Sequence, residues 1–127
     1  MNEQKRRLLL IILNRLRITH RYNQIGAYEI YFCRYNEITF TISAYGESVT
    51  MSKYLGVYSI DQQNRILSFA KSVQEKGYNL RIDDDNSEKH VEMGCLNTDK
   101  QQLFFGVCCF LQIITGGKFL QLKLMAA

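Results

Sequence analysis

The sequence predicts a single α+β domain over residues 1–127: an antiparallel sheet, a three-stranded meander plus a second hairpin, packed with three helices in the order α-β-β-β-α-β-β-α-β. Three observations predict it. Apolar residues recur at helical spacing in three separate stretches. Between those stretches the period drops to two, as in a half-buried sheet. The composition, 46% apolar and 22% charged over 127 residues, suits one packed core, and the absence of proline leaves no linker to divide it.

The first helix is expected from Asn2 or Glu3 to about Ile18, with Leu9, Ile12, Leu13 and Leu16 at helical spacing. Leu8–Leu13 is apolar all round, so more than one of its sides must be covered. Tyr28, Ile30 and Phe32 then share a strand face, and Tyr35-Asn36 forms a turn. Ile38, Phe40, Ile42 and Ala44 alternate with Thr39, Thr41 and Ser43, the clearest strand signal in the chain. After a turn at Gly46, a third strand carries Val49, Met51, Leu55 and Val57, bent near Gly56. Lys53 interrupts its apolar face and suits a sheet edge.

Ser59 and Gln62 form a capping box for a second helix, whose stripe is Ile66, Phe69, Ala70 and Val73 and whose stop is Gly77. The second hairpin places Tyr78, Leu80 and Ile82 before a polar turn, Asp83–Lys89, and Val91, Met93 and Cys95 after it. Thr98 and Gln101 repeat the capping box before a third helix that ends at Gly116-Gly117. A last short strand holds Leu120, Leu122 and Leu124.

Between Leu103 and Ile114 the third helix has no polar face, and such a helix must be covered on every side. Each large side chain left in water forgoes roughly 1.5–3 kcal/mol of burial. Either the first helix lies across it or a second copy of the protein does; Phe104, Phe105, Phe110, Leu111 and Ile114 are the candidate interface, and a homodimer or another obligate protein partner is expected.

The net charge of +4 is uneven: residues 1–34 hold seven Lys/Arg against two acids, whereas residues 35–98 hold six against nine. Lys5, Arg6, Arg7, Arg15, Arg17 and Arg21 form the candidate basic patch. Such a patch can attract nucleic acid, an acidic membrane or an acidic protein, and more often is only a solvated face. Leu8–Leu13 falls short of the apolar core of a secretory signal, and Leu103–Ile114 is too short to cross a bilayer. The expectation is a soluble, cytoplasmic protein without a membrane partner.

No motif specifies a reaction. Cys33, Cys95, Cys108 and Cys109 lack the C-x-x-C spacing of a zinc site and read as free thiols. The Asp83–Glu88 run lacks the glycine and glutamate that a calcium loop needs at its sixth and twelfth positions. Thr115-Gly116-Gly117-Lys118 follows a helix rather than preceding one, so it is no phosphate loop. His20 and His90 remain as an acid–base pair for a small nuclease, the third-ranked reading. Tyr22, Tyr31, Tyr35 and Tyr45 could stack on single-stranded bases. The opening helix–strand–strand–strand–helix order is similar to that of double-stranded RNA-binding domains. Ala44–Ser48 nevertheless replaces their Gly-Pro-x-His loop, and Ser59-Ile60-Asp61-Gln62 their lysine cluster.

The order α-β-β-β-α-β-β-α over about residues 2–115 resembles the class I type III secretion chaperones, the Tir-chaperone-like fold. That resemblance implies a dimer without enzymatic activity that binds an extended client segment along apolar patches and sheet edges. Members are usually acidic, and the strand expected at Phe119–Met125 is additional. The function expected first is thus a non-enzymatic protein-binding module, chaperone-like or inhibitor- or immunity-like, needing no cofactor. A nucleic-acid binder using the basic first helix comes second.

Overall fold

Residues 3–83, 89–96 and 100–119 are described by a computed structural model, in which three helices and six strands follow the order α-β-β-β-β-α-β-β-α. The helices are α1 (Glu3–Arg15), α2 (Ile60–Glu75) and α3 (Lys100–Ile114). The strands are β1 (Thr19–Ile25), β2 (Tyr28–Tyr35), β3 (Ile38–Tyr45), β4 (Ser48–Tyr54), β5 (Leu80–Asp83) and β6 (His90–Leu96). All six join one antiparallel sheet in the order β1-β2-β3-β4-β6-β5.

The first four strands are set by their turns. Gly26, Asn36 and Gly46 recur every ten residues, have φ of 60°, 54° and 58°, and open the two-residue loops between β1, β2, β3 and β4. Two-residue hairpin loops favour this left-handed start because it matches the twist of the strands. A side chain at Gly46 would meet nothing within 4 Å, so its substitution acts on the backbone alone. Gly46→Val is expected to lower stability by about 1–2 kcal/mol, the left-handed penalty, in a urea titration.

One face of the sheet carries the core. Tyr31, Cys33, Tyr35, Phe40, Ile42, Ala44, Val49 and Met51 are buried beneath Leu9, Ile12 and Leu13 of α1 and Leu103, Val107 and Phe110 of α3. α3 lies against the sheet at Gly106, where a Cβ would meet Cys95 and Met51 in ordinary contact at 3.5–3.7 Å. Ser59 caps α2 by accepting the Gln62 N–H at 3.3 Å, as the sequence predicts, and Ile66, Leu67, Ala70 and Val73 are its buried stripe.

Several expectations need correction. The first helix stops at Arg15, because Arg17 turns left-handed (φ 58°) and the Ile18 N–H returns to the Leu13 carbonyl at 2.8 Å. The meander has four strands, since Thr19–Ile25 pairs with β2 along its whole length. On β2 Tyr28, Ile30 and Phe32 share a face, and it is the outer one: Glu29, Tyr31, Cys33 and Tyr35 turn inward, while Tyr28 and Phe32 are exposed. Lys53 guards no edge, for β4 lies between β3 and β6. Val57 lies beyond the strand and is exposed. The Thr98 cap and the strand at 120–124 lie outside the described residues.

The third helix finds its cover within the chain. The sheet, α1 and α2 all pack on it, and Phe110, Leu111 and Ile114 are fully buried, so these three are unavailable to a partner. Phe104 is half-buried. Phe105, at 53% exposed, stacks on Tyr78 with ring centroids 5.8 Å apart. The second copy that the sequence calls for as a lid over α3 is therefore not required.

Candidate functional site

The basic patch does not assemble. Lys5 reaches Glu47 at 3.8 Å, and Glu3 lies 2.8 Å from Arg6 and 3.7 Å from Arg7. Arg15 is the exposed last residue of α1, Arg17 is exposed just beyond it, and Arg21 is on β1.

Arg6 is held by structure. Its Nε and Nη2 donate to Glu29 Oε1 at 2.9 and 2.6 Å, beneath α1, and the Tyr22 hydroxyl adds a third bond to that oxygen at 3.3 Å. Burial pushes the Glu29 carboxyl up, but hydrogen bonds and positive charge, Arg6 among their sources, outweigh it and hold the pKa below 4.5. A depressed carboxylate contributes stability above its unfolded pKa and loses it as pH falls through the lower folded value. The urea midpoint is therefore expected to decline below about pH 4.5, and Glu29→Gln is expected to remove that part of the decline.

The histidines do not meet. His20 faces the helices, its ring 6.1 Å from Tyr31, whereas His90 lies on the other face with Glu92 at 3.2 Å and Asp83 at 3.9 Å. β2, β3 and β4 separate their strands, about 19 Å at the usual spacing. The acid–base pair is thereby removed. The four cysteines are free, and burial pushes the Cys33 thiol up to about 12 and those of Cys95 and Cys109 upward. Among the described residues no cluster of His, Cys, Asp and Glu could hold a metal ion, and no helix is long and apolar enough to cross a membrane.

What stands out is the sheet face opposite the helices. Its register places Thr19, Arg34 and Thr39 in one row across β1, β2 and β3. Arg21, Phe32, Thr41 and Ser52 form the next row, which continues into β4. These rows floor a depression of about 690 Å³. The Arg21 guanidinium lies 5.0 Å over the Phe32 ring, and neither Arg21 nor Arg34 is ion-paired among the described residues. At the other end of the face Tyr28 and Tyr45 are exposed, with ring centroids 4.9 Å apart.

β3 and β4 part company at the depression. Their pairing ends at Thr41–Ser52, while β3 stays with β2 and β4 with β6. Lys53 lies beside this split, 6% exposed, its ammonium 3.4 Å from Thr39 Oγ1 and 5.3 Å over the Tyr58 ring. Desolvation pushes its pKa down. Lys53 also lines the depression, which has no Asp or Glu among the described residues of its lining.

β1 borders this face. Among the described residues it is the outermost strand, paired on one side only, and six of its seven residues are exposed. Sequence reasoning passed over it for want of an apolar face, although the ten-residue turn spacing was a usable signal. Of the tyrosines expected to stack on bases, Tyr31 and Tyr35 are buried, Tyr22 faces the helices and only Tyr45 is on the open face.

The chain matches no protein-family model, no curated protein and no solved structure.

Proposed function

We propose that the protein is a non-enzymatic binding module that captures an extended segment of a partner protein by adding it as a strand to β1. The observation that carries this reading is the outer side of β1: seven residues without proline, joined to the sheet along one edge only among the described residues. Unpaired N–H and C=O groups in a regular row are a template for another strand, and backbone hydrogen bonds then supply affinity. The opposite edge, β5, offers four residues. A chaperone-like, inhibitor-like or immunity-like role belongs to this class of stoichiometric binder.

The test uses peptides selected from a displayed random library on the immobilised chain. Their binding should slow hydrogen exchange at the amides of residues 19–25, and N-methylation of alternate peptide amides should abolish it. Protection confined to another element would overturn the reading. Protection that grows with protein concentration in the absence of peptide would do the same, by making a second copy the occupant.

A further inference from the structure

Two features of the depression are left unexplained by strand addition: Lys53, which shares the buried face of β4 with Val49 and Met51 and reaches the split between β3 and β4 without a counter-charge, and two arginines of the open face that line the same depression unpaired. Buried ammonium groups are ordinarily paired, because removing a charge from water is unfavourable. Lys53 has only the Thr39 hydroxyl and the Tyr58 ring. The acids nearest in the sheet register are on the far side: Glu92 lies opposite Ser52 on β6 and is engaged by His90, and Asp83 is beyond it on β5. Among the described residues, the depression is thus lined by Arg21, Arg34 and Lys53, while the acids of the open face, Glu92 and Asp83, lie farther along the sheet on β6 and β5 beside Arg81 and His90.

We infer that the depression is an anion seat that selects an acidic partner segment, with carboxylates meeting Arg21 and Arg34 near β1 and Lys53 where β3 and β4 separate. This inference rests on the strand-addition reading for the place at which the segment enters. Geometry makes the two ends compatible. From β1 to β4 is about 14 Å at the usual strand spacing, which roughly four or five extended residues cover. A segment leaving the β1 edge and crossing the face therefore reaches Lys53 within one short run. Charge complementarity favours carboxylates, and Thr19, Thr39 and Ser52 supply hydroxyl donors along the crossing. Phe32 lies beneath Arg21 and fixes the guanidinium over the floor.

The probes are a short peptide alternating glutamate with valine, its glutamine–valine counterpart, and an oligothymidylate of similar length, each titrated by calorimetry. The glutamate peptide is expected to bind at least about tenfold more tightly than the glutamine peptide, with the difference shrinking as salt is added. Arg21→Gln with Arg34→Gln should erase the difference, and thermal melts of this doubly exposed variant should match those of the unaltered chain. Equal affinity for the two peptides overturns the inference, and so does tighter binding of the oligothymidylate, which would make the occupant a nucleic acid. Equal affinity accompanied by protection of the β1 amides sinks the acidic preference while strand addition stands. A glutamate preference without that protection supports the seat and removes the edge as its entrance.

Discussion

Phe110→Ala is expected to lower the unfolding free energy by about 3–5 kcal/mol, the usual range for deleting a fully buried aromatic ring. Phe110 is 0% exposed and lies against Phe40 on the sheet with ring centroids 5.8 Å apart. Its neighbours Leu111 and Ile113 are equally closed off. The loss would therefore combine transfer free energy with a residual cavity rather than be relieved by collapse. Against a typical margin of about 5–15 kcal/mol this is a large fraction, and a urea titration should show it as a midpoint displaced at constant slope. Phe105 is the contrast on the same helix. Half of its ring is already in water and the rest stacks on Tyr78, so Phe105→Ala should change stability by about 1 kcal/mol or less. Similar losses at both positions would contradict the burial of α3 by its own chain.

That contrast marks what periodicity can and cannot read. The apolar run from Leu103 to Ile114 signalled a helix covered over most of its girth, although Phe105 remains exposed, and what it left open was the source of the cover. The sheet supplies it from below, with α1 and α2 alongside. The capping pair Ser59–Gln62 and the stop at Gly77 were local signals and appear where expected, because caps are decided by a few adjacent residues. The alternation in β3 was legible because hydroxyl residues occupy its whole outer face.

β2 misled because both of its faces hold aromatic residues. Tyr28, Ile30 and Phe32 look more apolar than Glu29, Tyr31, Cys33 and Tyr35, yet the second set faces the helices. The inward position of Glu29 depends on Arg6, twenty-three residues earlier in the chain, and no window along the sequence shows that pairing. β1 was missed for the opposite reason. An edge strand that buries almost nothing has little hydrophobic pattern to read, and only its partner strand and the turn at Gly26 define it. The candidate site inherits both difficulties. Its arginines come from an unpatterned strand and a misread one, and its lysine stands where an apolar residue would ordinarily belong.

Lys53→Met should separate function from stability most sharply. Methionine follows the lysine stem and leaves no ammonium to desolvate, so the variant is expected to be more stable by about 1–3 kcal/mol at neutral pH, the value of an unpaired buried polar group in mutational data. The pH dependence gives the sign independently. The folded pKa of Lys53 lies below 10.5 through desolvation, so the folded state binds its proton less readily than the unfolded chain does. The resulting penalty is complete below the folded pKa and is relieved as pH rises from there toward 10.5. The advantage of Lys53→Met should therefore shrink over that alkaline interval, and denaturation midpoints measured across it would reveal the convergence. Binding should move the other way, with affinity for the glutamate peptide falling about tenfold. A variant that is both less stable and unimpaired in binding would show that the lysine is held by packing on Tyr58 alone. A more stable, binding-impaired variant would mean that the chain keeps a destabilising charge in its sheet for a ligand's sake.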